Sequence, residues 1–333
     1  MPTLYIHIGH EKTGTTTIQR FFHDNRVKMK ESGLLYPEIG HQNFVQSALV
    51  NCIHDLDNGC FLEFFPKGVN VDPHKEWGAL VNMAKVWQKN ILISSEHFMS
   101  RLGRAGITFI KDYLAKNLPE YDIKIISFLR RQDEMFISRL STLAKAGAKA
   151  PYQVWKDQVL QKNIYYDYLN LIGRWSDVFG NNNIELIPYR KGTDSISEIM
   201  KVLNINDDSM KLPERFNTSW DAITIAIGFK INALCSELGY SEKNKKLELL
   251  NKYILHSNVN NNRISRNLID YGFAKEIIDT YSEDNVILSD RFSDSKNLFS
   301  SMLSKDDFFG SIDDLSDEES LNLVFRALSG EGK

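Results

Sequence analysis

The sequence predicts an α/β fold, a central parallel sheet flanked by helices, with an α-helical C-terminal subdomain. Three observations predict it. Four short apolar runs, Leu4–Ile8, Ile91–Ser95, Ile123–Leu129 and Ile184–Tyr189, have the length and near-continuous hydrophobicity of strands buried on both faces. Longer segments with apolar residues at helical spacing separate them. Beyond Pro213 the strand signal stops and helical spacing continues.

Leu4–Ile8 is the first strand; Gly9–Thr17 then reads as a polar, glycine-containing loop, and Ile18, Phe21, Phe22 and Met29 recur at helical spacing. Gly33 and Pro37 punctuate the chain, and residues 44–56 read as a weaker helix. A stretch with Leu80, Ala84 and Trp87 precedes the second strand, and Ile107–Leu118 precedes the third. Phe136, Leu140, Leu143 and Ala144 place a helix directly after it. In the C-terminal part, Trp220, Ile223, Ile227, Ile231, Leu234 and Leu238 mark one long helix, and Asn258–Asn262 a loop. Residues 306–319 carry seven acids and read as a solvated tail. The domain division expected is an α/β core over 1–212 and a helical subdomain packed on it over 213–333.

Composition narrows the partners. The 333 residues include 40 basic and 43 acidic side chains, a net charge of -3, which gives no global attraction to nucleic acid or anionic membrane. Anion binding must then be local. Cys52, Cys60 and Cys235 have neither disulfide-framework nor zinc-site spacing. The N-terminus has no basic segment or cleavage site, and no window approaches the ~20 apolar residues of a membrane span. A cytoplasmic chain without a transmembrane segment is expected.

The chemistry begins at Leu4, in LYIHIGHEKTGTTTIQ. A tight turn between a strand and a helix N-terminus exposes amides that the helix cannot satisfy, and the helix dipole adds positive potential there. Gly14 allows close approach of an oxyanion, Thr13, Thr15, Thr16 and Thr17 offer hydroxyls, and Lys12 brings a full charge. This is a phosphate cradle. It departs from the Walker A pattern, in which lysine directly follows the second glycine, because Lys12 precedes Gly14 by two positions.

HIGHEKTGTTTIQ resembles the 5′-phosphosulfate loop of sulfotransferases that use 3′-phosphoadenosine 5′-phosphosulfate (PAPS), whose core reads K-[ST]-G-T-[ST] after the first strand. The resemblance implies that Lys12 contacts the bridging oxygen that leaves with the nucleotide, and that Thr13, Gly14, Thr15, Thr16 and Thr17 hold the 5′-phosphate. PAPS also carries a 3′-phosphate, which calls for a second anion site. In ISFLRRQDEMFISRL, Arg130 ends the third strand and Ser138 follows eight residues later. This resembles the family's 3′-phosphate motif, arginine supplying paired charge-assisted bonds and serine a hydroxyl.

Transfer of a sulfuryl group needs in-line attack, stabilisation of the leaving phosphate and a base for the acceptor proton. It has no requirement for a metal. Three residues compete as the base: His41, in a segment after Tyr36-Pro37 that loosely resembles glycan-modifying sulfotransferases, and Glu96 and His97 at the end of the second strand. His7 reads as a hydrogen-bonded core residue, and His10 as a candidate for the nucleotide pocket. The resemblance covers roughly residues 3–203 and implies a P-loop-like fold and a PAPS-dependent sulfotransferase releasing 3′-phosphoadenosine 5′-phosphate (PAP), with a carbohydrate acceptor favoured; the charge balance argues for no nucleic-acid partner. A phosphoryl transferase and a non-catalytic nucleotide-binding protein are the competing readings.

Overall fold

The computed structural model describes residues 1–40, 44–56, 72–148, 152–190, 194–207, 209–213, 220, 222–237, 268–292, 298–299 and 305. Among them the sheet has five strands: β1 (Thr3–His7), β2 (Leu34–Leu35), β3 (Asn90–Ser94), β4 (Asp122–Arg130) and β5 (Ile184–Tyr189). Their order is β2-β3-β1-β4-β5, and every neighbouring pair is parallel. The strand that periodicity does not reveal is β2, because two residues carry no period. Its partners Asn90 and Ile91 on β3 define it.

The helices are α1 (Thr15–Asp24), α2 (Arg26–Glu31), α3 (Ala48–Asn51), α4 (Pro73–Trp87), α5 (His97–Arg101), α6 (Arg104–Asn117), α7 (Gln132–Lys145), α8 (Tyr152–Leu160), α9 (Tyr168–Phe179), α10 (Ser195–Val202), α11 (Ala222–Glu237) and α12 (Tyr271–Phe292). The weak helical signal over 44–56 resolves into α3 and a 3-10 turn, His54–Leu56. The run from Ile18 to Met29 is two helices, parted at Asn25. The buried Asn25 amide donates to the Phe21 carbonyl and to the Lys211 carbonyl, and accepts from the Lys211 amide at 2.8 Å. The Asn258–Asn262 loop and the 306–319 tail lie outside the described residues.

The chain forms two compact units that interleave in sequence: residues 1–130, 167–216 and 283–299 in the first, 131–166, 217–282 and 300–333 in the second. In the first, Ile18, Phe21 and Phe22 of α1 and Ile196, Ile199 and Met200 of α10 bury against Leu92, Ile126, Phe128 and Ile187 of the sheet. Side chains alternate across a strand, so Leu4 and Ile6 face the opposite side from Tyr5 and His7. Rings of Trp77, Phe98, Trp175 and Phe179 follow one another at centroid distances of 6.4, 6.2 and 5.8 Å. In the second unit, Met135, Phe136 and Leu140 of α7 pack with Ile225, Phe229, Phe273 and Ile277. The shared apolar cluster groups α7 with helices more than 80 residues later in the chain.

Cys52 is a buried free thiol whose ionisation burial pushes up to about 12. Among the described residues no helix is long and apolar enough to cross a membrane.

His7 is fully buried on β1, with Nδ1 2.7 Å from the Ser94 hydroxyl and its ring edge-on to Phe128. Burial pushes its imidazole down to about 3. The unfolded chain takes up this proton below about pH 6.5, whereas the folded chain does not until about pH 3. The folded state therefore loses stability as pH falls through that window. We expect His7→Gln to lose less stability than the wild type between pH 6.5 and 5, by about 2 kcal/mol, in chemical denaturation at the two pH values. Equal losses in the two proteins would refute this account of the buried imidazole.

Candidate functional site

The chain passes from β3 on one side of β1 to β4 on the other, so the sheet's topological switch lies at the C-terminal end of β1. Open parallel sheets bind ligands in the crevice at such a point. The segment that emerges there is Ile8 to Gly14, and it is held by its own polar groups. The Ile8 and His10 amides donate to the Ile126 and Phe128 carbonyls, and the Ser127 hydroxyl donates to the Gly9 carbonyl. Thr13 and Thr15, both buried, donate their hydroxyls to the His10 carbonyl at 2.6 and 3.0 Å. These two hydroxyls brace the turn. Thr16 and Thr17 are more exposed.

Gly9, Lys12 and Gly14 have φ of 82°, 65° and 83°. Left-handed residues interleaved in a short loop turn successive amides toward one side and make an anion-binding concavity. For a non-glycine residue such as Lys12 the conformation costs about 1–2 kcal/mol, and such strain clusters at functional positions. The first bond of α1 runs from the Ile18 amide to the Gly14 carbonyl at 3.0 Å. The amides of Thr15, Thr16 and Thr17 have no acceptor within the helix, and no side chain caps it. By contrast α4, α9 and α10 are capped by Asp72, Asp167 and Asp194.

The two glycines set how closely this loop packs. A Cβ on Gly9 would lie 2.8 Å from the Glu96 Cα, and one on Gly14 would lie 2.7 Å from the Ser195 Oγ and 3.5 Å from Tyr189 Cε2. Tyr189 ends β5 as the register partner of Arg130 on β4, and the Arg130 guanidinium sits 5.5 Å from its ring centroid. The Tyr189 ring thus stands near both the Gly14 position and the Arg130 guanidinium. The Arg130 carbonyl accepts from the Tyr168 hydroxyl at 2.8 Å, and the Tyr168 ring meets the His10 ring at 5.3 Å.

Glu96 and His97 lie where β3 passes into α5, next to the loop. The Glu96 carboxylate accepts from the Gln19 side-chain amide of α1 at 3.0 Å. Burial depresses the pKa of His97, partly countered by Glu96, so the ring is neutral near pH 7. Glu11 accepts from the Ser100 hydroxyl at 3.2 Å and pairs with the buried Arg101 guanidinium at 3.5 Å. An acid, a neutral imidazole and the Glu11–Arg101 ion pair therefore line one end of the sheet edge. Such a group can accept a proton and orient a polar substrate.

Of the residues singled out in the sequence, Lys12 to Thr17, Glu96, His97 and Arg130 lie at the C-terminal edge of the sheet within the first unit. Ser138 is buried on α7 and belongs to the second unit. His41 lies outside the described residues. Arg131 is committed to Asp133, with Nε and Nη2 at 2.6 and 2.9 Å from the carboxylate oxygens. Sequence reasoning passes over Gln19, Arg101, Tyr168 and Tyr189. Their signal lies in distant contacts, although Tyr189 stands inside the IPYRK run that follows the last strand.

No protein-family model and no curated protein matches this sequence. Among solved structures, a crystal structure of a sulfotransferase from Alicyclobacillus acidocaldarius is similar with TM-score 0.42 and 15% identity over 72% of this chain and 96% of that chain. The sulfotransferase domain from the curacin biosynthetic pathway is similar with TM-score 0.34 and 14% identity over 65% of this chain and 79% of that one. Neither superposition assigns a role to any residue here.

Gly33 serves as a control for Gly9. Its φ is 84°, but a Cβ there would meet nothing within 4 Å. Gly33→Ala is expected to cost about 1 kcal/mol, the backbone penalty alone. Gly9→Ala also drives a methyl into the Glu96 backbone and is expected to cost at least twice as much in thermal or chemical unfolding. Equal costs would show that the loop does not pack on β3 as described.

Proposed function

We propose that this chain is a sulfotransferase that transfers a sulfuryl group from PAPS to a hydroxyl or amine, with a carbohydrate as the favoured acceptor class. One observation carries the reading. The strained, glycine-pinned loop with Lys12 stands before an uncapped helix N-terminus, on the same sheet edge as Arg130. Two candidate anion sites, the Lys12 loop and Arg130, with the Tyr189 ring near both, would suit a nucleotide with phosphates at both its 5′ and 3′ positions. The spacing of Arg130 and Ser138 in the sequence supports the second phosphate as well.

The amides of Gly14 to Thr17 and the hydroxyls of Thr16 and Thr17 would hold the 5′-phosphate. Thr13 and Thr15 act one step back, through the loop they brace. In the reaction a lone pair of the acceptor oxygen or nitrogen forms the new bond to sulfur as the bond from sulfur to the 5′-phosphate oxygen breaks. The electron pair of the broken bond stays on that oxygen and leaves with PAP. Lys12 stabilises the charge that develops on the leaving oxygen. The acceptor proton passes to a base at the end of β3, Glu96 or the neutral His97, a reading that the Gln19–Glu96 bond and the lowered His97 pKa support. The lysine position, two residues before Gly14, disfavours a Walker-type phosphoryl transferase.

Calorimetric titration of PAP, AMP and ATP in EDTA tests both phosphate sites without an acceptor. We expect PAP to bind well in preference to AMP and ATP; equal binding, or binding of ATP alone and only with magnesium, overturns the reading. Arg130→Ala should weaken PAP about 10- to 100-fold, the worth of a charged hydrogen bond. Lys12→Ala should lower turnover of labelled PAPS by about two to three orders of magnitude. Wild-type behaviour in either variant removes that residue from the site.

A further inference from the structure

Behind Glu96 lies a buried polar chain that phosphate binding does not use. Gln19, on α1 one helical turn beyond Thr15, is 1% exposed, and its amide nitrogen bonds both the Ser94 hydroxyl at 3.3 Å and the Glu96 carboxylate at 3.0 Å. Ser94 and His7 are fully buried, and His7 Nδ1 lies 2.7 Å from the Ser94 oxygen. The Ser94 hydroxyl faces the Tyr36 phenol, which donates onward to the Phe44 carbonyl at 2.7 Å. Burial pushes the Tyr36 phenol up and keeps it a neutral donor.

The hydrogens balance in one arrangement. With its proton on Nδ1, His7 donates to the Ser94 oxygen, as does Gln19; the Ser94 proton goes to Tyr36, and the Tyr36 proton to Phe44. His7 Nε2 is then an unpartnered acceptor, a smaller cost than an unpartnered donor. Gln19 is thereby fixed as a donor to Glu96. Satisfying a buried amide does not require a carboxylate; here one N–H goes to a half-exposed acid at the sheet edge, where a charge-assisted bond adds strength and direction. The same residue is pinned at its Cα by Gly9.

We propose that Gln19, locked by Ser94 and His7, is a positioning residue that orients the Glu96 carboxylate, and that Glu96 rather than His97 accepts the acceptor proton. The inference rests on the sulfuryl-transfer reading. It also makes α1 serve both halves of the site, with phosphate amides at its first turn and the orienting amide at its second.

Gln19→Met keeps the side-chain length and removes the donors. Two measurements follow. In crystals soaked with PAP, the wild-type Glu96 side chain should hold one rotamer on Gln19, and in Gln19→Met it should leave that rotamer while the phosphate loop is unchanged. With labelled PAPS and a pool of heparosan, chondroitin and N-acetyllactosamine oligosaccharides, Gln19→Met should lower kcat about 10- to 100-fold with the KM for PAPS within twofold. Added to Glu96→Gln, it should cause no further loss, because the two act as one unit.

An unchanged Glu96 rotamer, an additive double mutant, or a loss confined to PAPS affinity overturns the inference. If the wild type labels nothing in the pool, the carbohydrate reading fails and the crystal measurement alone decides the positioning role. If Gln19→Met does not fold, Ser94→Ala, which loosens Gln19 without removing it, should show the same kcat loss in weaker form; wild-type kcat there overturns the proposal.

Discussion

The approach of Gly9 to the Glu96 backbone holds the candidate site together. With 2.8 Å between a Cβ at position 9 and the Glu96 Cα, any side chain would push the end of β3 away from the end of β1. The contact brings the Lys12 loop and the Glu96–His97 segment onto one edge. Gly14 does the same toward β5 and α10, where Ser195 and Tyr189 close on it. The loop is thus wedged between its neighbours on both sides, and its left-handed residues are the consequence. A turn so over-determined can keep Lys12 in a conformation it would otherwise leave.

The sheet supplies the frame for this wedge. Five parallel strands point their carbonyl ends the same way, and residues from β1, β3, β4 and β5 meet at one edge although nearly 190 residues separate the first from the last. The cover on one face, α1 and α10, also frames the candidate site: α1 begins directly after the Gly9–Gly14 loop, and α10 begins at the residue that limits Gly14. Core packing and ligand geometry are set by the same helices. Substitutions of Ile18, Phe21 or Phe22 would therefore disturb the site as well as the core.

The polar groups follow a division of labour that their residue types alone do not show. The four threonines of the loop look equivalent in sequence, yet Thr13 and Thr15 direct their hydroxyls inward to the His10 carbonyl, whereas Thr16 and Thr17 are the more exposed. Arg130 and Arg131 are adjacent and alike, yet Arg131 is bound to Asp133 while Arg130 lies over the Tyr189 ring. In both cases the pleat or helix phase decides, by sending neighbouring side chains to different surroundings.

The sequence by itself determined the α/β class and the four longer strands, because those signals are local: continuous apolar runs and helical spacing. It also placed His7 in the core correctly, from its position inside an apolar strand. Strand β2, two residues long, lay below what periodicity can register. The pairing of Gln19 with Glu96, of Tyr168 with Arg130 and of Arg101 with Glu11 spans 38 to 90 residues, and only the tertiary structure decided it. Such contacts arise from strand order and close glycine packing, which no local pattern encodes.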